Sequence, residues 1–513
     1  MLDYLILALY AISMVVIAVY THKRSGSVDD FLLAGKRGLG GWMSAFAYGT
    51  TYFSAVIFIG YAGKFGAEFG LASVWIGVAN AFVGSLLAWR VLAKRTKNMT
   101  VRLQSKTMPE FFARRYGDRR LKLFSAVVIF IFLIPYSASV YSGLSSLFEI
   151  VFGIPGWIVM ICLAALTALY LFFGGYFATA VSDFVQGIVM LVGVILMVLC
   201  FMNHPGVSWD LSELTSNPQL NWFTFESESK GIYGSTASLL SLVLLTSFGV
   251  FALPQTIHKY YAIRDRRAIR QGTVVSTVFA LIIGFGAYFV GALSGLFPEH
   301  LAGISPDAII PVMLNAVIPS GLMGIIAVLI LSASMSTLSS VSLASASVVA
   351  IDIYKEKINP EASDKRTNTV MRVLCLAFVA VSVILAVLNE RFGITAIAYM
   401  MGLSWGTLAG CFIGPFVLGL FSKKITRAAA WSSVVGSLAL TVVLILFFGY
   451  HKNGFSVGLG QAIADGVGCS PLIGVICMAF SIVITVLVSL FTKEPSVDIL
   501  YDAFDKPIEN EIK

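Results

Sequence analysis

Apolar runs of about 20 residues recur along nearly the whole chain, and each is long enough to cross the ~30 Å hydrocarbon core of a bilayer as a helix. Hydrocarbon offers no water to satisfy free amides and carbonyls, so such runs must close their hydrogen bonds internally. Thirteen crossings are expected, at about 2–20, 40–62, 70–93, 122–149, 155–173, 180–202, 236–256, 272–296, 320–351, 369–388, 394–421, 427–449 and 469–492. The fold class this implies is an all-α, multi-pass membrane protein. Composition agrees: 58% of the 513 residues are hydrophobic and 12% charged, with a mean hydropathy of +0.87, whereas soluble domains carry about a quarter charged residues. The first run lacks the basic flank and small-residue cleavage site of a secretory signal and is read as a membrane helix.

Loop charge tests the count, because Lys and Arg accumulate on the cytoplasmic side. With thirteen crossings and the N-terminus outside, thirty-one of the 35 basic residues fall inside, within 23–37, 90–122, 259–270, 355–372, 423–427 and 493–513. Lys64, Lys230, Arg391 and Lys452 remain outside. A missed helix would scramble this sorting. The expected location is the plasma (inner) membrane, with the C-terminus cytoplasmic. The net charge of +8 then reflects orientation, and no basic, aromatic-interleaved patch suggests nucleic acid.

The polar segments are small. The outer loop 203–235 has room for a short amphipathic helix, and the inner loop 94–121 and the charged tail 494–513 are the other sizeable ones. Six cysteines and five histidines are scattered, with no pairing that suggests a metal site. No hydrolase, zinc-protease or ATP-binding motif is present, so neither an enzyme nor a cofactor is expected.

Against this background the run Ala333-Ser334-Met335-Ser336-Thr337-Leu338-Ser339-Ser340 stands out. Ser336, Ser339 and Ser340 follow i, i+3, i+4 spacing and share one helical stripe. Two physical readings fit. Neutral oxygens aimed at one spot suit a hard cation held mid-membrane, and small hydroxyl residues also let helices pack closely.

Transport of a solute predicts broken helices at equivalent places in an inverted repeat. Gly49-Thr50-Thr51-Tyr52-Phe53-Ser54 lies mid-membrane in the second segment; Ser247-Phe248-Gly249, with Pro254 beyond, lies in the seventh. Glycine and proline weaken the helical ladder there. The expected organisation is 1–39, an N-terminal helix and inner loop; 40–202, a first five-helix repeat; 203–235, the outer loop; 236–421, a second five-helix repeat; 422–492, two further helices; and 493–513, a cytoplasmic tail. Asp183, in the first turn of the sixth segment, is either a functional intramembrane carboxylate or an ordinary helix-end one. Lys64 and Glu68 read as a solvated pair.

Four stretches together carry a family resemblance. They are Asp30-Phe31-Leu32-Leu33-Ala34-Gly35-Lys36-Arg37; Thr107-Met108-Pro109-Glu110-Phe111-Phe112-Ala113-Arg114-Arg115-Tyr116; Gly174-Gly175 through Asp183 to Gln186; and the Ser336 region ending in Asp352-Ile353-Tyr354. In this order, on thirteen segments, the chain resembles the sodium:solute symporter family. The resemblance implies a leucine-transporter-like 5+5 inverted repeat and sodium as coupling ion. It assigns a sodium to the carbonyls of Thr50, Phe53 and Ala333 and the hydroxyls of Ser336 and Thr337. Some relatives hold a second sodium, for which Asp183, Ser336, Ser339 and Ser340 match. Solute-site positions map to Ser54, Tyr136, Thr246, Val250 and Trp405. The Trp and Tyr of proline carriers are absent from 246–254, and no Arg or Lys follows Lys122 in the fourth segment to clamp a sialic acid.

The function expected is sodium-coupled import of a small organic acid or amino acid by alternating access. The partners are that solute, sodium ions and the lipid bilayer, and a monomer suffices. A sodium-independent facilitator would gain nothing from a central cation site. A transporter-like solute sensor is the other alternative; such proteins usually carry an appended signalling domain, and only a short tail is expected after the last helix here.

Overall fold

Eleven helical runs among the described residues are long and apolar enough to span a bilayer. The computed structural model describes residues 1–21, 28–33, 38–218, 220–225, 235–301, 303–393, 396–452, 454 and 456–508. Lys23, Arg24, Lys36, Arg37, Lys230 and Lys513 of the charge count lie outside these residues, as do Ala34 and Gly35 of the first family stretch. The eleven runs, with Gly41–Tyr52 numbered as well and the run ending at Tyr261 divided in two, are α1 (Leu2–Thr21), α2 (Gly41–Tyr52), α3 (Val56–Arg102), α4 (Arg119–Phe152), α5 (Gly156–Asn203), α6 (Ser235–Gly249), α7 (Pro254–Tyr261), α8 (Arg266–Leu296), α9 (Met323–Ile358), α10 (Asp364–Phe392), α11 (Ile397–Phe421), α12 (Arg427–Lys452) and α13 (Ser470–Phe491).

Two of these runs contain a glycine with left-handed backbone. Gly175 in α5 has φ 61° and ψ −164°. The Tyr170 and Ser182 hydroxyls, twelve residues apart across it, lie 2.5 Å from each other. In a straight helix twelve residues rise ~18 Å, so α5 folds back on itself at this point. No loop residues intervene, because glycine adopts a conformation that a Cβ would penalise. In α3, Gly70 has φ 52° and ψ −135°, and a Cβ there would come 2.4 Å from the Leu220 carbonyl oxygen. Only glycine meets both demands.

Burial sorts the helices. The apolar window of α9 is 89% buried and that of α11 83%, against 17% for α1 and 33% for α12 and α13. The serine-rich helix is therefore central, where small side chains permit close approach. The peripheral helices turn large apolar side chains outward, such as Val19, Val442, Val443 and Leu490. Among the described residues of the loop 203–235 lies a short helix, Ser212–Ser216.

At one end of the bundle two of the family stretches meet. Thr107 caps the helix Met108–Tyr116 by accepting from the Glu110 amide, and its hydroxyl donates to Asp352 Oδ2 at 2.7 Å. Lys122 Nζ stands 3.3 Å from Asp352 Oδ1 and 3.2 Å from Glu356 Oε2. The charge pattern groups Lys122 with the loop cations; in the structure its side chain is buried.

Candidate functional site

Both expected breaks are present. Helix α2 ends at Tyr52, and Phe53 adopts extended backbone, φ −101° and ψ 98°, its amide still bonded to the Gly49 carbonyl at 3.0 Å. The Ser54 hydroxyl then accepts from the Val56 amide at 3.3 Å, starting α3. Helix α6 ends at Gly249, residues 250–252 form turns, and Leu253 is extended before Pro254 opens α7. Proline has no N–H for the Val250 carbonyl. The Thr256 hydroxyl lies within donating reach of that carbonyl, at 3.1 Å, and of the Leu253 carbonyl, at 2.9 Å.

The first break faces the middle of α9. Ser336 Oγ lies 3.0 Å from the Thr50 carbonyl oxygen and 3.2 Å from that of Ala333. Thr337 Oγ1 lies 3.3 Å from Thr50 O and 3.5 Å from Thr51 O. Each hydroxyl has one proton, so it cannot donate to both of its carbonyls at once. What converges is an excess of neutral acceptors. Thr50, Phe53, Ala333, Ser336 and Thr337 are all fully buried. Phe53 holds the first non-helical position beside this group, its ring packed on Tyr52 with centroids 4.5 Å apart. Such a cluster can take a dehydrated hard cation without any titrating group.

The positions matched to a second sodium have a different neighbour. Lys259, at the end of α7, places Nζ 3.4 Å from Asp183 Oδ2 and 2.8 Å from Ser340 Oγ, with the Tyr176 ring centroid 5.0 Å away. Both charged side chains are buried, at 2% and 0% exposure. The charge pattern places Lys259 among the loop cations, and its burial corrects that sorting. Ser339 Oγ donates to the Ser336 carbonyl at 2.9 Å. Asp183 lies in the second turn after Gly175, with Oδ1 unpartnered.

The solute-site positions are buried to 1% exposure or less. Tyr136 meets Trp405 edge-on, centroids 5.7 Å apart. Trp405 also stacks on Tyr52 at 6.1 Å, and the Tyr52 hydroxyl donates to the Thr246 carbonyl at 2.8 Å. Gly249 faces the Trp405 ring across the second break. The hydroxyls of Thr246 and Ser247 both reach Asn80 Oδ1, at 2.8 and 3.1 Å. Tyr136 Oη, Trp405 Nε1, Asn80 Nδ2 and both side-chain polar atoms of Gln255 are buried without partners. Sequence reasoning does not single out Tyr52, Asn80, Gln255 or Lys259. A lone amide in the apolar run 76–83 is the available signal for Asn80.

Lys64 and Glu68 are half-buried rather than the solvated pair expected. The Lys64 ammonium donates to the Tyr399 hydroxyl and lies 3.9 Å from that ring's centroid. Helix α3 is thereby tied to α11.

Known proteins resemble this chain over nearly its whole length. The osmoregulated proline transporter OpuE of Bacillus subtilis is 27% identical over 499 residues, covering 96% of this chain and 95% of its own length. A sodium/proline symporter of Staphylococcus aureus is 25% identical over 505 residues, covering 96% and 93%. Among solved structures, a substrate-bound, outward-open Na+-coupled sialic acid symporter superposes with a TM-score of 0.76 at 18% identity, covering 97% of this chain and 99% of that one. Mhp1, a nucleobase-cation-symport-1 family transporter, gives 0.53 at 14% identity, covering 93% and 98%. These two likenesses speak for the fold alone. The model of the sodium:solute symporter family matches residues 31–436, and the chain belongs to that family of transporters.

Proposed function

We propose that this protein is a sodium-coupled symporter that imports a small organic acid or amino acid by alternating access. The observation that carries the reading is the convergence of the Ser336 and Thr337 hydroxyls on the Thr50 carbonyl beside the break at Phe53. A cation at that point holds α2 against α9, and its departure frees one from the other.

The solute would lie next to this ion, among Ser54, Tyr136, Thr246, Val250 and Trp405. No cationic side chain belongs to that set, so a substrate carboxylate would be met by neutral donors. Tyr136 Oη and Trp405 Nε1 are unpartnered there, and the amides opening α3 and α7 carry partial positive charge. That chemistry favours a small carboxylate or zwitterion over a bulky polyanion, consistent with proline as the named solute of two relatives.

Counting α3 and α5 as two crossings each, α2 with the start of α3 as one broken helix, and α6 with α7 as another, gives thirteen. Helices within 40–202 and 236–421 form the two repeats of a 5+5 arrangement, with 1–39 before them and 422–513 after. The loop charge puts the N-terminus outside the plasma membrane.

The test is uptake of a panel of radiolabelled amino and organic acids into proteoliposomes, with and without an inward sodium gradient. Accumulation of at least one solute should require sodium. Equal accumulation in sodium-free buffer, driven by a pH step, would refute the reading.

A further inference from the structure

We propose that Lys259 is a built-in cation: its ammonium takes the place of a second sodium beside Asp183 and Ser340, so the chain binds and moves one sodium per cycle. This rests on the sodium-symport reading above. The notion begins with the environment of Asp183, a carboxylate with no exposed surface among apolar helices. Such a group requires a compensating cation. In this chain the cation is covalently attached, at the end of the half-helix α7, which begins at the second break.

The ammonium's contacts account for its donors. It reaches Asp183 Oδ2 at 3.4 Å and Ser340 Oγ at 2.8 Å, and sits against the Tyr176 ring at 5.0 Å. The stripe of hydroxyls is divided as a result. Ser336 serves the first site through Thr50 O, Ser339 donates to its own helix, and Ser340 receives Lys259. Asp183 Oδ1 is left without a partner. A sodium ion drawn to it would stand beside the ammonium, and like charges at close range in a poorly screened interior repel strongly.

Attachment has a consequence for coupling. A sodium bound at Asp183 could leave for the cytoplasm in each cycle, whereas Lys259 can only move with α7. The carboxylate is neutralised permanently, and the transport cycle carries one positive charge fewer than a two-sodium carrier.

The experiment is equilibrium binding of radioactive sodium to the purified full-length protein in nanodiscs, which needs no knowledge of the solute. The unmodified chain should bind one sodium; Lys259→Ala, which frees the carboxylate, should bind two; and Lys259→Ala with Asp183→Asn should return to one. Two ions on the unmodified chain, or a single ion on folded Lys259→Ala, would overturn the proposal. Sodium-dependent thermal protection of Asp183→Asn gives a second measure, independent of whether Lys259→Ala folds. Its sodium midpoint should stay within twofold of the unmodified protein, and a tenfold shift would place sodium on Asp183 and refute the assignment. No sodium binding by the unmodified chain would instead refute the symport reading itself.

Discussion

The hydroxyl oxygens of Ser340 and Thr51, 289 positions apart in sequence, lie 2.8 Å from each other. The direction of that bond follows from its neighbours. Lys259 has only donors, so Ser340 accepts from it at 2.8 Å. Thr51 donates to the Ala47 carbonyl at 2.7 Å, so its oxygen must accept from Ser340. A one-way chain therefore runs from Lys259 through Ser340 and Thr51 into α2. It lies one helical turn beyond the contacts that Ser336 and Thr337 make with Thr50. Sliding α2 along α9 would break both sets at once, which makes this seam an element with discrete arrangements rather than a continuously deformable one.

Ser336→Ala and Thr337→Ala should each raise the sodium concentration for half-maximal uptake. Each removes one oxygen from the proposed shell, and a loss of one or two kcal/mol corresponds to a factor of roughly 5–30. Ser342 provides the control: it is on the same helix and fully buried, yet its hydroxyl bonds nothing. Ser342→Ala should change the sodium midpoint less than about twofold, since no contact is lost. Identical sodium dependence in all three variants, at matched protein levels, would make the hydroxyls packing groups.

For the solute, Tyr136→Phe isolates one orphaned hydroxyl while preserving the edge-on contact with Trp405. KM for a solute identified in the uptake panel should rise about 2- to 10-fold, as expected for losing one hydrogen bond of ~0.5–1.5 kcal/mol. The sodium midpoint measured without solute should stay where it was. An unchanged KM would exclude that hydroxyl from the solute's contacts.

Much of this site is legible in the amino-acid sequence, for identifiable reasons. Glycine, proline and hydroxyl residues inside apolar runs are expensive unless the helix breaks or packs there. Phe53, residues 250–253 and the Ser336 stripe therefore announce themselves locally. Gly175 is visible only as part of a glycine pair, because a reversal without loop residues leaves the hydropathy nearly uninterrupted. Lys259 is hidden for another reason: it stands beside Tyr260, Tyr261 and the basic residues 264–270, and its partner Asp183 is 76 positions away. Nothing in spacing reports a pair at that separation. Lys64 likewise meets Tyr399, 335 positions away.

Asp118 gives a pH prediction outside the membrane. It caps α4, accepting from the amides of Arg120 at 2.8 Å and Leu121 at 3.3 Å and from Trp431 Nε1 at 3.0 Å. Burial pushes this carboxyl up, but those hydrogen bonds and nearby Arg427 outweigh it and hold it below the usual range. A carboxylate with a depressed folded pKa stabilises above its unfolded value of about 3.9 and loses that contribution as pH falls through the folded value. Asp118→Ala should therefore cost about 1 kcal/mol at pH 7, the ordinary value of an N-cap. The gap in thermal midpoint between variant and unmodified protein should narrow as pH falls below the ordinary carboxylate value of about 3.9. An equal gap at both pH values would mean that the charge on Asp118 contributes nothing.

The Lys122–Asp352 cluster allows a sharper test, because two of its members can be removed separately or together. Asp352 is fully buried, and Lys122 and Thr107 both reach it, joining the loop before α4 to the end of α9. Asp352→Ala strips the lysine of its nearest buried partner and leaves an orphaned Thr107 donor. Breaking a buried pair from one side typically costs ~3–5 kcal/mol. The retained contact from Lys122 to Glu356 at 3.2 Å should keep this case toward the lower end. Replacing both charges by apolar groups, Lys122→Met with Asp352→Leu, removes the uncompensated ion and should cost less than Asp352→Ala alone. Thermal unfolding of the three purified proteins decides it. A double variant at least as destabilised as the single one would mean that the pair contributes through shape or hydrogen bonding, and that its charges do not govern stability at this end of the bundle.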